Sequence, residues 1–178
     1  LNMKKITMTD VIDFSHSSER RKLSFVSNLK HAKEKESSGG GGDYWVRSIS
    51  AISNSFKQGS LDSIIDKKDI LESLLEGTLT NQTRTMYQRN LDILYRSEDF
   101  DFDKWKPSDK MTFLARGKSN SILNIGGIDL QALPSHIFLF QNGEIEEVGA
   151  IWFVAKLENF GKKELGMFAD VLYRYLEL

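Results

Sequence analysis

The 178-residue sequence contains no cysteine. This absence excludes a disulfide scaffold, a cysteine-ligated zinc site and a thiol nucleophile, and it favours a reducing compartment, which we take to be the cytoplasm.

No apolar run approaches the length of about 18 residues that a membrane-spanning helix requires, and no stretch resembles a signal peptide. Neither sign of charge dominates, because 24 Lys and Arg stand against 25 Asp and Glu, for a formal net charge of -1. This balance excludes a wholly basic nucleic-acid coat or a wholly acidic tail, but it allows a local charged patch.

What is present is the ordinary mixture of a globular protein, with 40% hydrophobic and 28% charged residues. A chain of this length predicts one domain, with or without a helical appendage. Folding should bury roughly 70% of the surface that the unfolded chain exposes, so the core needs neither a metal ion nor a disulfide.

The first third of the sequence is polar and predicts helices. Between residues 19 and 35 the apolar side chains Leu23, Val26 and Leu29 recur three apart and form a narrow stripe. A second copy of the chain would complete this stripe, so we expect a protein partner or a homodimer.

Residues 36–43 include the four glycines Gly39 to Gly42 and predict a loop or linker, either native or engineered. We therefore divide the chain into two parts. Residues 1–43 form an N-terminal helical segment with its linker, and residues 44–178 form a single domain.

Three amphipathic helices are predicted for residues 44–97. Their apolar residues recur at steps of three and four, as on one face of a helix. The first stripe consists of Trp45, Ile49, Ile52 and Phe56. Gly59 and Gly77 are natural helix ends, and Thr78 or Thr80 starts the third helix. The short connections predict antiparallel packing of neighbouring helices.

The apolar period changes after Pro107, and residues 110–157 predict strands. Asn142-Gly143 between two apolar runs predicts a hairpin with a type I′ turn. Residues 148–157 are apolar at almost every position, which predicts a central strand covered on both faces. Residues 162–178 predict an amphipathic helix. The expected fold class is α+β: a helical N-terminal half packs on a mostly antiparallel sheet of 4-5 strands, closed by a C-terminal helix.

Several familiar motifs are incomplete. Arg116-Gly-Lys-Ser119 ends like a phosphate loop, but Thr112 stands where that loop needs its first glycine. Asp99-Phe-Asp-Phe-Asp103 begins like a calcium loop, but Lys104 and Lys110 replace its glycine and its bidentate glutamate. No two of the histidines are spaced as zinc ligands on one helix. The sequence therefore predicts no metal ligand set.

The last 80 or so residues resemble the core of the PD-(D/E)XK nuclease superfamily, in particular its RecB-like branch. The resemblance lies in residues 148–157 and in the following helix, residues 163–176, which ends in Leu172-Tyr173-Arg174-Tyr175. It implies two metal-binding carboxylates and a lysine that positions or activates water. Lys156 matches that lysine, but Val154 stands where the family has an acid.

Asp129 and Glu147 are nearby acids that could replace the family's two metal-binding carboxylates, and Glu144 is a reserve ligand. A working nuclease would use them with Lys156 and with Mg²⁺ or Mn²⁺. Otherwise the resemblance implies a member that has lost its metal site.

Three functional hypotheses follow. The first is a non-catalytic binding or interaction module without a cofactor, bacterial in character and associated with mobile elements or phage defence. The second is a metal-dependent nuclease of the PD-(D/E)XK type. The third is a nucleic-acid-binding protein without catalysis, which would use the basic residues of the first helical segment. These residues are Arg20, Arg21, Lys22, Lys30 and Lys33.

Overall fold

The computed structural model describes residues 6–30, 44–108, 110–115 and 121–177. The helices are α1 (Met8–His16), α2 (Glu19–Lys30), α3 (Val46–Gln58), α4 (Asp62–Glu76), α5 (Asn81–Glu98) and α6 (Lys162–Leu176). The strands are β1 (Ile6–Thr7), β2 (Met111–Leu114), β3 (Ile122–Ile125), β4 (Ile128–Gln131), β5 (His136–Asn142) and β6 (Ile145–Ile151). The glycine run, Lys33 and the Arg116–Ser119 motif lie outside the described residues.

The helix ends follow from local chemistry. Thr7 caps α1, because its hydroxyl accepts from the Asp10 N–H while the Asp10 carboxylate accepts from the Thr7 N–H. Gly59 ends α3 with a φ of 70°, a left-handed conformation that glycine adopts without strain. Thr80 caps α5, as the sequence predicts. The three predicted helices of residues 44–97 are therefore confirmed.

A first core joins α3, α4 and α5 to an antiparallel sheet with the strand order β2-β5-β6. Phe56 on α3 is fully buried at its centre. Its ring packs against Phe113 and Phe138 of the sheet and against Phe153 beyond β6, with centroids 5.7 to 6.4 Å apart. Aromatic contacts thus fasten the helices to this sheet.

A second core lies between the sheet β1-β4-β3 and the helices α1 and α6. Strand β1 pairs with β4 in parallel, with Ile6 opposite Leu130. Met8 and Ile12 of α1 meet Phe168 of α6 within this core. Residues near the beginning of the sequence therefore pack directly against its last helix.

The α+β class, the helical N-terminal half and the C-terminal helix are confirmed, but the single sheet of 4-5 strands is wrong. The described strands form two separate three-stranded sheets. The central strand predicted for residues 148–157 is also wrong. Strand β6 ends at Ile151, lies at a sheet edge beside β5, and leaves Val148 43% exposed.

The apolar character of residues 148–157 does not come from a central strand. Ile151 and Phe153 pack against the first core, whereas Trp152 and Val154 pack against the second. The Ile151 carbonyl accepts from the Ser135 N–H at 2.7 Å, and the Ser135 hydroxyl accepts from the Phe153 N–H at 2.9 Å. Residues 151–154 are therefore apolar on both sides because they connect two cores.

The predicted hairpin is present with a different turn. Asn142 pairs with Ile145, so the loop consists of Gly143 and Glu144. Gly143 has a φ of 65°, whereas Glu144 has no positive φ. This pattern is that of a type II′ turn, with glycine at its first position, rather than the predicted type I′ turn.

Candidate binding cleft

A cleft of about 830 Å³ opens between two helices of the first core and the segment that follows β6. Helix α3 and its N-cap supply Trp45, Ile49 and Ile52, and the polar side of α5 faces them. The opposite wall consists of residues 153–160 and Leu165. From α5 the lining residues are Arg89, Asp92, Ile93 and Arg96. The volume lies in the range of sites for small molecules.

Trp45 lines the cleft and forms an aromatic pair with Tyr44, which lies behind it. The rings of Tyr44 and Trp45 meet edge to face, with centroids 4.7 Å apart. The Arg89 guanidinium donates to the Tyr44 hydroxyl at 3.0 Å. Asn90, which is fully buried, donates to the Tyr44 carbonyl at 2.7 Å and accepts from the Ser48 N–H and hydroxyl. Because a buried amide fixes this turn, the aromatic pair has little freedom to move.

The lining carries three cations, Arg89, Arg96 and Lys156, and two carboxylates, Asp92 and Glu158. Asp92 already accepts from the Gln88 amide at 3.0 Å. Arg96 is exposed and makes no hydrogen bond or ion pair with any described residue. The cleft therefore presents one guanidinium that is free to bind an anion.

A charged cluster holds Lys156 at the rim. Its Nζ lies 3.5 Å from Asp13 and 3.8 Å from Glu164, and the His16 Nε2 lies 2.8 Å from the same Glu164 carboxylate. The Gly161 N–H donates to Glu164 at 2.6 Å. This backbone hydrogen bond, helped by His16 and Lys156, lowers the pKa of Glu164 below its ordinary value. The cluster thus ties α1 and α6 to one wall of the cleft.

The residues predicted from the nuclease resemblance lie in different places. Asp129 lies on β4 and accepts from the Asn124 amide at 2.8 Å. Glu147 lies on β6 and accepts from the Asn142 amide at 2.9 Å. Neither forms an ion pair with Lys156, and Glu144 lies in the hairpin turn. Within the described ranges, no group of three or more potential ligands is placed to hold a metal ion.

The predicted nucleic-acid-binding residues lie on α2, which contributes no residue to either core. Arg20, Arg21 and Lys30 are exposed. Lys22 pairs with Glu19 at 2.8 Å, and its ammonium lies 5.9 Å from the centre of the Phe14 ring. The structure therefore gives α2 a solvated basic side.

The sequence analysis missed Arg89 and Arg96, and it interpreted the aromatic residues Tyr44 and Trp45 as interior packing rather than as a surface for base stacking. Arg89 and Arg96 are seven residues apart on one helix, a spacing that places both on the same face. That spacing was the available signal, but it shows only a shared face and does not show what lies opposite.

No family model matches the chain, and neither a curated protein nor a solved structure matches it. Among the helices of the described ranges, none combines the length and apolar character that crossing a bilayer requires.

Proposed function

We propose that this chain is a non-catalytic binding module that holds a small anionic ligand in the cleft between α3, α5 and residues 153–160. The observation that carries the proposal is Arg96, a cleft residue whose guanidinium has no partner among the described residues. Arginine presents a planar set of donors that matches carboxylate and phosphate groups.

The surroundings of Arg96 support an anion. Arg89 adds a second guanidinium to the lining, and the hydrogen bond that it donates goes to the neutral hydroxyl of Tyr44 rather than to a carboxylate. Ile49, Ile52 and Ile93 line the same cleft and limit its hydration. A charge pair is stronger in such a concave, partly apolar site than on an open surface.

Calorimetry with inorganic tripolyphosphate tests the proposal. We expect wild-type protein to bind it with an affinity that falls as salt increases, and Arg96→Gln to weaken binding about tenfold or more through loss of a charge-assisted hydrogen bond. Arg20→Gln on α2 is the matched control, because it removes another exposed arginine, which lies outside the cleft. The proposal fails if wild-type protein shows no binding or if both variants lose affinity equally.

The nuclease hypothesis, with Asp129, Glu147 and Lys156, has less support, because Lys156 contacts other acids. Calorimetry with Mn²⁺ tests it: binding that Glu147→Gln abolishes would favour the nuclease.

The bacterial, phage-defence and nucleic-acid-binding hypotheses stay predictions. Charge reversal of Arg20, Arg21 and Lys22, read in a gel-shift series at increasing salt, tests the last of them.

One observation favours the homodimer as a second candidate. On α2, Leu23 is 72% exposed and Val26 is 39% exposed, so its apolar stripe lacks a full cover among the described residues. Sedimentation analysis of wild-type protein and of Leu23→Glu tests this surface. A wild-type dimer that becomes monomeric in the variant supports it, and a wild-type monomer at all concentrations contradicts it.

A further inference from the structure

The cleft is chemically different at its two ends. Trp45 and the Arg89–Tyr44 hydrogen bond lie at one end, whereas Arg96 lies two helical turns further along α5. Seven residues at 1.5 Å each separate the two arginine positions by about 10 Å along the helix axis. A ligand that uses both ends must therefore carry an aromatic group and an anionic group some distance apart.

The aromatic end is prepared for stacking. Trp45 is half-buried and lines the cleft, its ring contacts the ring of Tyr44, and the Asn90 amide fixes the Tyr44 backbone next to it. A side chain already fixed before binding loses little conformational entropy when a ring packs on it. Base-on-aromatic stacking needs only an accessible face and a fixed ring.

The charge of the cleft limits the size of the anion. Asp13 and Glu164 offset the charge of Lys156, which leaves Arg89 and Arg96 beside the two lining carboxylates Asp92 and Glu158. A long nucleic-acid strand depends on many phosphate contacts, which this surface does not offer. A ligand with one or two phosphate groups needs only the guanidinium of Arg96.

We infer that the cleft binds a nucleoside phosphate, with its base on Trp45 and its phosphate at Arg96. The inference rests on the proposed function, since it names the class of anion that the cleft holds. Ile49 lines the cleft one helical turn after Trp45 and contacts the sugar.

The test compares ligands that share a phosphate and differ in the base. Calorimetry measures the binding of AMP, GMP, CMP and UMP, of ribose 5-phosphate, which lacks a base, and of phenyl phosphate, which lacks the nucleoside. We expect at least one nucleotide to bind about tenfold more tightly than either reference compound, as stacking of one base allows. Trp45→Leu should abolish this advantage and retain the affinity for ribose 5-phosphate, whereas the control Trp105→Leu, at an exposed tryptophan outside the cleft, should retain both.

If Trp45→Leu does not fold, tryptophan fluorescence tests the same contact. In protein carrying Trp105→Phe and Trp152→Phe, Trp45 is the only tryptophan, and nucleotide should quench its fluorescence more than ribose 5-phosphate does. If no nucleotide exceeds the reference compounds, or if Trp45 does not respond, the inference is overturned. The proposed function still stands if ribose 5-phosphate or tripolyphosphate binding depends on Arg96. If neither compound binds, both proposals fall.

Discussion

The two cores differ in how far apart along the chain their residues lie. In the first core, α3, α4 and α5 follow one another through short loops and pack around Phe56. The second core joins α1 to β4 and to α6, and His16 meets Glu164 across 148 positions. Contacts between distant positions carry a larger loop-closure entropy. The first core is therefore the more local unit, and the second depends on the whole chain being in place.

The largest expected effect lies in the first core. Phe56→Ala removes a fully buried ring and should lower the free energy of unfolding by about 3–5 kcal/mol. Urea denaturation followed by circular dichroism measures this loss. Phe100→Ala is the control, since Phe100 is 44% exposed and should cost clearly less. Equal losses in the two variants would mean that Phe56 is not the centre of this core.

A substitution in the second core should lower the free energy of unfolding somewhat less and should affect the helices of that core first. Ile12→Ala removes a buried side chain from α1 and should cost about 2–5 kcal/mol. Hydrogen exchange should show the loss of protection first in α1, β4 and α6, while α3 to α5 keep theirs. Val11→Ala, at a partly buried position on the same helix, is the milder control. A uniform loss of protection over all helices would contradict the separation of the two cores.

Substitutions at two glycines, one in each core's surroundings, should change the stability in opposite directions. At Gly149 on β6 an added Cβ would lie 2.5 Å from the ring of Phe138, which is buried in the first core. Gly149→Ala should therefore destabilise the protein by about 1–3 kcal/mol. At Gly166 within α6 an added Cβ meets no atom within 4 Å, so Gly166→Ala should stabilise by about 0.5–1 kcal/mol. Thermal unfolding measures both, and two shifts of the same sign would contradict the packing described.

The smallest effect concerns pH and the link between α1 and α6. The pKa of Glu164 is lowered by the Gly161 N–H and by His16 and Lys156. Its carboxylate therefore stabilises the fold above the ordinary pKa of the group, and this contribution disappears as pH falls through the lowered folded value. The part of the stability difference between wild type and Glu164→Gln that comes from this carboxylate should be present above its ordinary pKa and shrink in acid.

Unfolding in urea at a series of pH values measures that difference. Glu158→Gln is the control, because Glu158 is exposed and forms no ion pair with a described residue. A difference between wild type and Glu164→Gln that persists unchanged at the acid end would contradict the assigned role of the carboxylate.

The sequence predicts the first core well, because its signals are local. The stripe from Trp45 to Phe56, the glycine after α3 and the Thr80 cap each depend on residues within a few positions. The division into two sheets has no such signal. An apolar residue on an extended segment predicts burial but does not show which core it packs against. The apolar run of residues 148–157 therefore predicted one central strand, whereas residues 151–154 pack against two different cores.

The cleft was predictable only in part. Lys156 was singled out, and the structure places it in the lining, but with Asp13 and Glu164 rather than with Asp129 and Glu147. Glu164 is eight residues from Lys156, but Asp13 reaches Lys156 only because α1 packs beside α6, and a contact across most of the sequence leaves no spacing to recognise. Arg96 lies on α5 at the edge of an unremarkable polar face, and its importance depends on what packs opposite.

The pairing of α1 with α6 also sets the order of events during synthesis. A ribosome adds about 5–20 residues per second, so the 148 positions between His16 and Glu164 take roughly 7–30 s to translate. Throughout that interval Met8 and Ile12 have been made, but Phe168 has not. The nascent chain therefore exposes part of the apolar side of α1 until α6 has been made, although Leu123 and Leu130 of the same core are available earlier.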